Sequence, residues 1–430
     1  MESRTITLGL LGCGNVGAAL CRLIARDGDA IAARTGIRLR IGRVAVRSLS
    51  RKRDVQLPDA VLTTDGAEVV GDPSVDLVVE VLGGIEPARE YIAEALKAGK
   101  PVVTANKELL ANVGAELFAA AETAGVDLLF EAAVAGGIPI IRPLRESLVG
   151  EHITRVMGIV NGTTNFILSQ MEAHGAGYAD ALAEAQSLGY AERDPTADVE
   201  GFDAGAKASI IASIAFGVRV VAGDVYHEGI SNVTATDIAF ARQLGYVIKL
   251  LAVCERFDDG TVAVRVHPAM VPRDHPLAAV RDSFNAVFVE GAAVGDLMFY
   301  GRGAGGDPTA SAVLGDVIDA ASNLVKGTHA SIGTLARPRL RPIDDLRSPF
   351  YLNLEVDDEP GVLAQVAGVF GAHGVSIRSM EQEGLGGEAR LIFITHRSRE
   401  ADVQATLRDL ADLAALRRVV SVLRVIDDER

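Results

Sequence analysis

Continuous apolar runs alternate with segments of helical spacing along the first third of the chain. Residues 6–11 form a continuous apolar run that ends at glycines, as in a strand buried on both faces of a sheet. The further predicted strands are residues 40–46, 76–81, 101–104 and 127–130. Apolar positions recur at helical spacing in residues 16–25, 88–98 and 113–124. Strands that alternate with helices over short connections predict an α/β fold with a doubly wound parallel sheet.

The rest of the chain predicts further domains. Strand-like segments at 153–160, 246–256 and 261–268 accompany a buried helix at 203–216, which indicates a mixed α+β domain. A helix at 315–325 is expected to pack back on the first domain. Residues 337–349, rich in arginine and proline, are typical of a linker, and the segment after them has the βαββαβ order of a ferredoxin-like module. The predicted domains are 1–135 with about 303–336, then 136–302, then 350–430 after the linker.

Composition and charge narrow the class of protein. The 430 residues suffice for about three ordinary domains. A net charge of −15 argues against a general nucleic-acid-binding protein, which would present a basic surface. The cysteines form no CxxC pair and favour neither a disulfide framework nor a zinc site. Without a signal-type leader or an apolar stretch of membrane-spanning length, the sequence predicts a cytoplasmic protein with no membrane partner.

A glycine-rich turn follows the first predicted strand and opens the first predicted helix. Its sequence, Gly12-Cys13-Gly14-Asn15-Val16-Gly17, has the GxGxxG spacing of dinucleotide-binding turns. The first glycine permits the tight turn, the second lets a pyrophosphate approach the backbone, and the third lets helix and strand pack closely. The N–H groups of the helix N-terminus supply the anion site. We therefore expect this turn to bind NAD or NADP.

The end of the second predicted strand bears on the choice of cofactor. NAD-specific sheets often place an acidic residue there, which bonds the ribose 2′-hydroxyl. Here Arg47 follows the strand, and a basic run, Arg51-Lys52-Arg53, comes soon after. A guanidinium at this position suits a 2′-phosphate, so NADP is the preferred cofactor and NAD the alternative. A solvated basic loop is the other interpretation.

A segment dense in carboxylates surrounds one lysine in the middle domain. Glu192, Asp198 and Asp203 lead towards Lys207. The spacing of four between Asp203 and Lys207 places both on one helix face, and an exposed ion pair is the simpler interpretation of it. The long apolar stretch after the lysine favours a buried helix, and a lysine that enters a core needs a partner or a chemical task. We expect a chemical site here.

Three further segments could contribute to a site, and each has a plainer alternative. Lys107 follows a predicted strand at the carboxyl edge of the sheet, where ligands bind, or is a surface lysine. Glu131 leads into a small-residue turn, and its carboxylate with exposed turn carbonyls could hold a hard monovalent or divalent cation, or the segment is simply a turn. The glycine-rich residues 301–309 could approach a cofactor or substrate closely, or form a flexible connection.

Six motifs together resemble the homoserine dehydrogenase family, in its long form with a C-terminal ACT domain. They are LGCGNVG, TANK, EAAVAGGIPII, NGTTNFIL, LGYAERDPTADVEGFDAGAK and GRGAGGDPTASAV. They occur in the family's order, the fifth is highly specific, and the resemblance covers essentially the whole chain. It implies a Rossmann-type nucleotide-binding domain, a mixed catalytic and dimerisation domain, and an ACT regulatory domain.

The resemblance also implies roles for individual residues. Lys207 would be the acid and base for the substrate's oxygen, while Glu192 and Asp203 would bind the amino acid, with Asp198 nearby. The matched cofactor positions are Gly12, Gly14, Asn15, Val16, Gly17, Arg47, Lys107, Gly189 and Gly306. The matched positions of a sodium site are Glu131, Val134, Gly136 and Ile138. In the ACT module, an amino acid would bind near the turn of Asp358, Pro360 and Gly361, since N–H groups at a helix N-terminus can take an α-carboxylate.

The implied activity is the reversible NAD(P)H-dependent reduction of L-aspartate 4-semialdehyde to L-homoserine, in the biosynthesis of threonine, methionine and isoleucine. The extra ACT module suggests feedback control by threonine, and we expect a homodimer or homotetramer. Two alternatives are a nucleotide-dependent amino-acid sensor without turnover and a dehydrogenase of another amino-acid semialdehyde. A sensor would need no proton donor, so the set of Glu192, Asp203 and Lys207 favours an enzyme.

Overall fold

The computed structural model describes residues 3–58, 61–384 and 386–427. Its strands are β1 (Arg4–Leu11), β2 (Ile37–Ala45), β3 (Leu62–Thr63), β4 (Leu77–Glu80), β5 (Val102–Thr104), β6 (Leu128–Leu129), β7 (Ile153–Ile159), β8 (Tyr226–His227), β9 (Tyr246–Arg256), β10 (Val262–Pro272), β11 (Phe284–Gly291), β12 (Gly295–Arg302), β13 (Arg347–Ser348), β14 (Phe350–Asp357), β15 (Ile377–Gly384), β16 (Glu388–Thr395), β17 (Ser398–Arg399) and β18 (Leu416–Val425). Its α-helices are α1 (Asn15–Thr35), α2 (Gly66–Gly71), α3 (Ala88–Lys97), α4 (Lys107–Ala124), α5 (Gly162–His174), α6 (Tyr178–Ser187), α7 (Thr196–Val199), α8 (Phe202–Phe216), α9 (Ala235–Gln243), α10 (Gly306–Lys326), α11 (Val362–Ala372) and α12 (Glu400–Ala411).

The chain divides into two compact units. The first comprises Met1–Val156, Ala206–Val225 and Asn285–Pro338. The second comprises Met157–Gly205, Tyr226–Phe284 and Arg339–Arg430. The predicted domain boundaries at residues 135, 302 and 349 stay a prediction.

A parallel sheet organises the first unit. Its strand order is β3-β2-β1-β4-β5-β6, which is the order of a Rossmann-type sheet and confirms the predicted fold. Leu8 and Leu10 of β1 are fully buried, as an apolar run covered on both faces requires. Val313 and Val317 of α10 pack into the same core, so the helix expected at 315–325 does return to this sheet.

Two helices of the first unit begin earlier than the sequence pattern predicts. Helix α10 starts at Gly306, inside the stretch that the sequence analysis treated as a glycine-rich loop. Pro308 lies in its first turn, where the missing N–H of proline costs no hydrogen bond. Helix α4 starts at Lys107, because the side-chain oxygen of Asn106 accepts a bond from the Leu109 N–H (3.1 Å) and caps it.

A larger sheet organises the second unit, with the strand order β9-β10-β18-β14-β16-β15 and with β8 beside β10. Strands β9 and β10 form the predicted hairpin, closed by a bond from the Gly260 N–H to the Phe257 carbonyl (2.8 Å). Strands β14, β15, β16 and β18 with α11 and α12 form the predicted βαββαβ module around a core that includes Phe370 and Phe393. Strand β18 also pairs in parallel with β10, at Ala269 and Met270, so this module shares its sheet with the hairpin.

The segment predicted as a linker makes specific contacts in the second unit. The Arg341 guanidinium bonds Asp259 (2.8 Å) and lies 3.8 Å from the ring centroid of Phe257. Strand β13 pairs with β17. The contacts of Arg341 with a carboxylate and an aromatic ring, together with the β13–β17 pairing, attach residues 339–348 to the rest of the second unit. No helix in the described part of the chain is long and apolar enough to cross a membrane.

Candidate functional site

The glycine turn between β1 and α1 has the geometry that its spacing predicts. Gly12 has a φ of +106°, and a Cβ built there would lie 2.8 Å from the carbonyl oxygen of Val81. A Cβ on Gly17 would clash with the carbonyl oxygen of Gly12, so the helix touches the turn here. A Cβ on Gly14 would meet nothing within 4 Å, since this residue borders open space where α1 begins. The turn therefore leaves a helix N-terminus open to a pyrophosphate.

An open cleft of about 830 Å³ lies at this helix N-terminus. Its walls are the glycine turn, the basic run Arg51-Lys52-Arg53 and the start of α10. A Cβ on Gly306 would lie 3.2 Å from the carbonyl oxygen of Asn15, so α10 approaches the turn closely. The cleft has the size and the exposed N–H groups that a dinucleotide needs, and the residues present fit NAD or NADP.

The basic wall of this cleft does not include Arg47. Arg47 is exposed just after β2, whereas Arg51, Lys52 and Arg53 line the cleft. The Arg53 guanidinium donates to the carbonyl of Arg51 (3.0 Å), which shapes the loop. On α1, Arg22 bonds the carboxylate of Asp54 at the end of this loop (2.6 Å). This ion pair joins the end of the loop to α1.

Polar residues meet at the carboxyl edge of the sheet, where Lys107 begins α4. Glu80 ends β4 and is fully buried, and its carboxylate accepts bonds from the Thr104 hydroxyl (2.6 Å) and the Leu82 N–H (2.7 Å). Burial raises the pKa of Glu80, and these donors act against that rise. Sequence reasoning missed Glu80, although a carboxylate that ends an apolar strand is a recognisable signal. Its contacts order the turn beside Lys107.

Two predicted substrate carboxylates converge on one amide in the second unit. The Asn161 side-chain nitrogen donates to Asp198 (2.6 Å) and to Asp203 (2.9 Å). The Asn161 oxygen accepts from the Thr164 N–H (2.9 Å) and caps α5, so both ends of this amide are fixed. Sequence reasoning did not select Asn161, and its one signal is a cap residue directly after a strand.

Asp203 and Lys207 lie one turn apart on α8. Each is 9% exposed, so the interpretation as an exposed ion pair is wrong. Gly201, with a φ of +84°, turns the chain into this helix. Helix α8 therefore presents a carboxylate and an ammonium on one face.

Glu192 and Gly189 lie on the loop after α6. Both are exposed, and Gly189 has a φ of +78°. The Glu192 carbonyl accepts a bond from the Gln186 amide (3.0 Å), and the neighbouring Tyr190 carbonyl accepts one from the Thr163 hydroxyl (2.7 Å). These bonds anchor the loop, and they do not join the Glu192 carboxylate to the Asp198–Asp203 pair.

Glu131 is buried in the first unit, where its carboxylate accepts three backbone bonds. The N–H groups of Ile140 (2.5 Å) and Ile141 (2.7 Å) bond one oxygen, and the Arg142 N–H (2.8 Å) bonds the other. The Glu131 N–H in turn donates to Asp316 (2.7 Å). Burial, reinforced by the nearby Glu131 charge, raises the pKa of Asp316 to about 7.

A cation in the Glu131 turn would depend on main-chain oxygens. Val134, Gly136 and Ile138 follow Glu131 in a buried turn in which Gly136 has a φ of +54°. In the part of the chain that the structure describes, no cluster of three His, Cys, Asp or Glu side chains could hold a metal ion. The carbonyls of the turn are the remaining ligands, and they suit a hard cation of low charge.

Family models match most of the chain. The model "Homoserine dehydrogenase" matches residues 139–318, "Homoserine dehydrogenase, NAD binding domain" matches 12–131, and "ACT domain" matches 350–415. A homoserine dehydrogenase of Corynebacterium glutamicum is 51% identical in an alignment of 428 positions, which covers 98% of this chain and 96% of that protein. The chain belongs to the homoserine dehydrogenase family.

Solved homoserine dehydrogenases share the fold. The structure from Thiobacillus denitrificans has a TM-score of 0.93 at 41% identity and covers 99% of this chain and 100% of its own. A hyperthermophilic archaeal homoserine dehydrogenase, solved in complex with NADPH, has a TM-score of 0.64 at 30% identity and covers 76% of this chain and 99% of its own. These matches confirm the predicted family and its nucleotide-binding, catalytic and ACT parts. The chain is an oxidoreductase of the homoserine dehydrogenase family.

The turn predicted to bind an amino acid in the ACT module is exposed. Asp358, Pro360 and Gly361 are solvent-accessible, and Gly361 has a φ of +92° where α11 begins. Its φ explains the glycine, because other residues rarely adopt this conformation.

Proposed function

We propose that the chain catalyses the reversible NADP-dependent interconversion of L-aspartate 4-semialdehyde and L-homoserine. The observation that carries this proposal is that the Asn161 amide bonds both Asp198 and Asp203. Asp203 lies on α8, one helical turn before Lys207. Two carboxylates suit the α-ammonium of an amino acid. A lysine on the same helix face suits the oxygen that gains and loses a proton. Family membership supports the same reaction.

The nicotinamide cofactor, when bound, supplies or accepts the hydride at C4 of the substrate. In reduction, the Lys207 ammonium donates a proton to the aldehyde oxygen as the hydride adds to the carbon. In oxidation, the neutral Lys207 amine accepts the hydroxyl proton. Asp203 is proposed as a second catalytic residue that orients the Lys207 ammonium, and with Asp198 nearby it also contributes to binding the amino acid. Glu192 is proposed to hold the substrate's α-amino group, and Lys107 to act at the junction of cofactor and substrate.

The test is the absorbance of reduced nicotinamide after purified protein is mixed with L-homoserine and NADP⁺, with sodium present. We expect reduction, and we expect Lys207→Met to lower kcat by about 10²–10⁴-fold, the usual contribution of a general acid, with NADP⁺ affinity kept. The matched control is Lys97→Met, at the exposed end of α3. Near-normal turnover of Lys207→Met contradicts the role of Lys207. No reduction with NADP⁺ or NAD⁺ by folded wild-type protein favours the sensor or another semialdehyde.

The cofactor proposed is NADP, with NAD as the alternative. The basic wall of the cleft supports it, because a 2′-phosphate there would meet Arg51 and Lys52, with Arg47 before them on the same loop. We compare NADP⁺ and NAD⁺ rates for wild type, Arg47→Ala and Arg51→Ala. A rate ratio that neither variant lowers contradicts this assignment.

A monovalent cation, sodium or a relative, is proposed for the turn of Glu131, Val134, Gly136 and Ile138. The support is the buried turn whose carboxylate is already engaged by backbone N–H groups, which leaves carbonyls for the ion. Sodium chloride should raise the unfolding temperature and the rate more than tetramethylammonium chloride at equal ionic strength. Equal effects of the two salts contradict the site.

Threonine is proposed as a feedback effector that binds at the ACT turn. The exposed N-terminus of α11 beside Gly361 can take an α-carboxylate, and Asp358 can face an ammonium. Threonine should lower the rate of wild type and affect Asp358→Ala less. Equal inhibition of both proteins contradicts the turn as the site, and no inhibition contradicts the effector.

A homodimer or homotetramer is also proposed. Strand β12 supports it, since Met298 and Tyr300 expose apolar surface on the outermost strand beside β11. Light scattering measures the mass, and a monomer at micromolar concentration contradicts the proposed oligomer.

The proposed reaction belongs to the cytoplasmic synthesis of threonine, methionine and isoleucine.

A further inference from the structure

A buried arginine of β18 joins the ACT module to a segment outside it. Arg424 is 5% exposed, and its guanidinium bonds both carboxylate oxygens of Glu400, at the start of α12 (2.9 Å each). The same guanidinium bonds the carboxylate of Glu228 (2.9 Å), directly after β8. One buried cation therefore serves one carboxylate of the ACT module and one of the catalytic part of the second unit.

Glu228 is held as an anion from two sides. The Tyr226 hydroxyl donates to the carboxylate oxygen that Arg424 bonds (2.5 Å). Although burial alone would raise it, the pKa of Glu228 lies below its ordinary value because the Arg424 charge and these hydrogen bonds favour the carboxylate. Its N–H donates to the Val266 carbonyl of β10 (2.8 Å), so both its main chain and its side chain are fixed.

The neighbours of Glu228 contact the turn between α7 and α8. The Ile230 N–H donates to the Val199 carbonyl (2.8 Å). The His227 ring packs edge-on against the Phe202 ring, with centroids 4.4 Å apart. Gly229 passes so close that a Cβ on it would lie 2.5 Å from the Val199 carbonyl oxygen and would clash with the carboxylate of Glu200.

These contacts hold the two residues that flank the substrate carboxylates. Val199 directly follows Asp198, and Phe202 directly precedes Asp203. A shift of the segment that carries Glu228 would therefore move both carboxylates relative to Asn161. Every contact in this series lies within the second unit.

We propose that Arg424 is a positioning residue, which acts through Glu228 and the adjoining backbone to set the places of Asp198 and Asp203. The proposal rests on the proposed function, in which those carboxylates bind the amino acid. Arg424 touches neither carboxylate, and its effect passes through Val199 and Phe202. The ACT module thereby contributes a residue to substrate affinity.

The test uses the full chain with Glu228→Gln. Glutamine has nearly the size of glutamate and Glu400 still balances the arginine, so the fold is preserved. The bonds from Tyr226 and Arg424 lose the carboxylate charge and weaken, which loosens the segment that carries residue 228. The KM for L-homoserine should rise by about tenfold, at the upper part of the range for residues that couple to a site without touching its ligand. The KM for NADP⁺ should stay within about twofold, because the cofactor cleft lies in the other unit.

Two further variants separate positioning from stability. Arg418→Gln is the matched control, since Arg418 lies on the same strand but pairs with Glu355 inside the module (2.6 Å), and it should leave both KM values unchanged. Gly229→Ala disturbs the contact with Val199 without touching Arg424, and it should reproduce the effect on L-homoserine.

Amide hydrogen exchange supplies a readout that does not depend on turnover. Residues 196–206 should exchange faster in Glu228→Gln than in wild type or in Arg418→Gln. An unchanged KM for L-homoserine with unchanged exchange overturns the proposal, and so does an equal rise of both KM values with a lowered unfolding temperature. If wild type does not turn over L-homoserine, the proposed function fails, while the exchange measurement still decides whether Glu228 positions this turn.

Discussion

Gly14→Ala should weaken cofactor binding while the fold stays intact. Gly14 has a φ of −83° and a ψ of −149°, a conformation without the positive φ that favours glycine. A methyl group there would meet no protein atom within 4 Å. It would project at the open N-terminus of α1, where a pyrophosphate has to approach the backbone. The fold therefore leaves room for a side chain at this position, whereas a bound pyrophosphate would not.

The magnitudes follow from that geometry. Alanine in place of glycine reduces the entropy of the unfolded chain, which is worth about 0.4–1 kcal/mol in favour of folding. Alanine is also a poorer N-cap than glycine, and the ψ of Gly14 lies outside the β region, so these effects offset each other and the free energy of unfolding should change by less than about 1 kcal/mol. A methyl group that keeps one phosphate oxygen from an N–H removes a charge-assisted bond of about 1.5–3 kcal/mol, or about a 10- to 150-fold loss of affinity. Gly17→Ala is the contrasting variant, because its methyl group would clash with the Gly12 carbonyl oxygen whether or not cofactor is present.

Calorimetric titration with NADP⁺ and thermal unfolding without it measure the two effects separately. Gly14→Ala should unfold close to the wild-type temperature and bind NADP⁺ at least about tenfold more weakly. Gly17→Ala should unfold at a lower temperature. Wild-type NADP⁺ affinity in a folded Gly14→Ala protein would refute the assignment of the glycine turn as the pyrophosphate site.

Three other predictions concern buried polar groups. Asn161→Asp keeps an acceptor for the helix cap but replaces the donor to Asp198 and Asp203 by a like charge. In steady-state kinetics the KM for L-homoserine should therefore rise at least about tenfold. An unchanged KM contradicts this prediction. Burial holds the pKa of His267 well below its ordinary value. Below about pH 6.5 the unfolded chain therefore binds a proton at this residue that the folded chain does not. As the pH falls through this range, the free energy of unfolding of wild type decreases by about 1.4 kcal/mol per pH unit. His267→Gln should lack that part of the slope in urea unfolding between pH 5 and 7, and equal slopes refute the assignment. Burial lowers the pKa of Lys249 to about 8, so between about pH 8 and 10.5 the unfolded chain holds a proton there that the folded chain has released. The free energy of unfolding of wild type should therefore increase as the pH rises through this range, whereas that of Lys249→Met should not. Parallel profiles of this free energy against pH contradict the prediction.

The parts of the fold that could be predicted from sequence are those fixed by local pattern. The apolar runs of β1 and β4 have no alternation, since both faces of a parallel sheet are covered, and their positions were found to within about two residues. The start of α10 was missed because glycine and proline are common in loops, and only the close approach of Gly306 to Asn15 shows why a helix begins there.

Local pattern selects the charged residues of the candidate site but not the residues that contact them. Asp203 and Lys207 share a helix face by spacing alone. The partner Asn161 lies far from both aspartates in the chain, and no local pattern records that its amide meets them. The same holds for Glu228 and Arg424, which meet only because β18 returns beside β10. Hydrogen bonds between distant segments depend on tertiary packing, which a single sequence does not display.

The pairing of β18 with β10 has a consequence for the order in which this chain can fold as it is synthesised. The hairpin of β9 and β10 leaves the ribosome long before its neighbour β18, which lies well over a hundred residues further along the chain. The Ile426 N–H bonds the Met270 carbonyl (2.9 Å), so this part of the edge is closed only after β18 has been made. Until then β10 presents an apolar edge with unpaired backbone groups, which is the kind of surface that chaperones hold and that aggregates recruit. A nonsense mutation or proteolytic cut that removes β18 should therefore lower solubility, because it leaves this edge of β10 open.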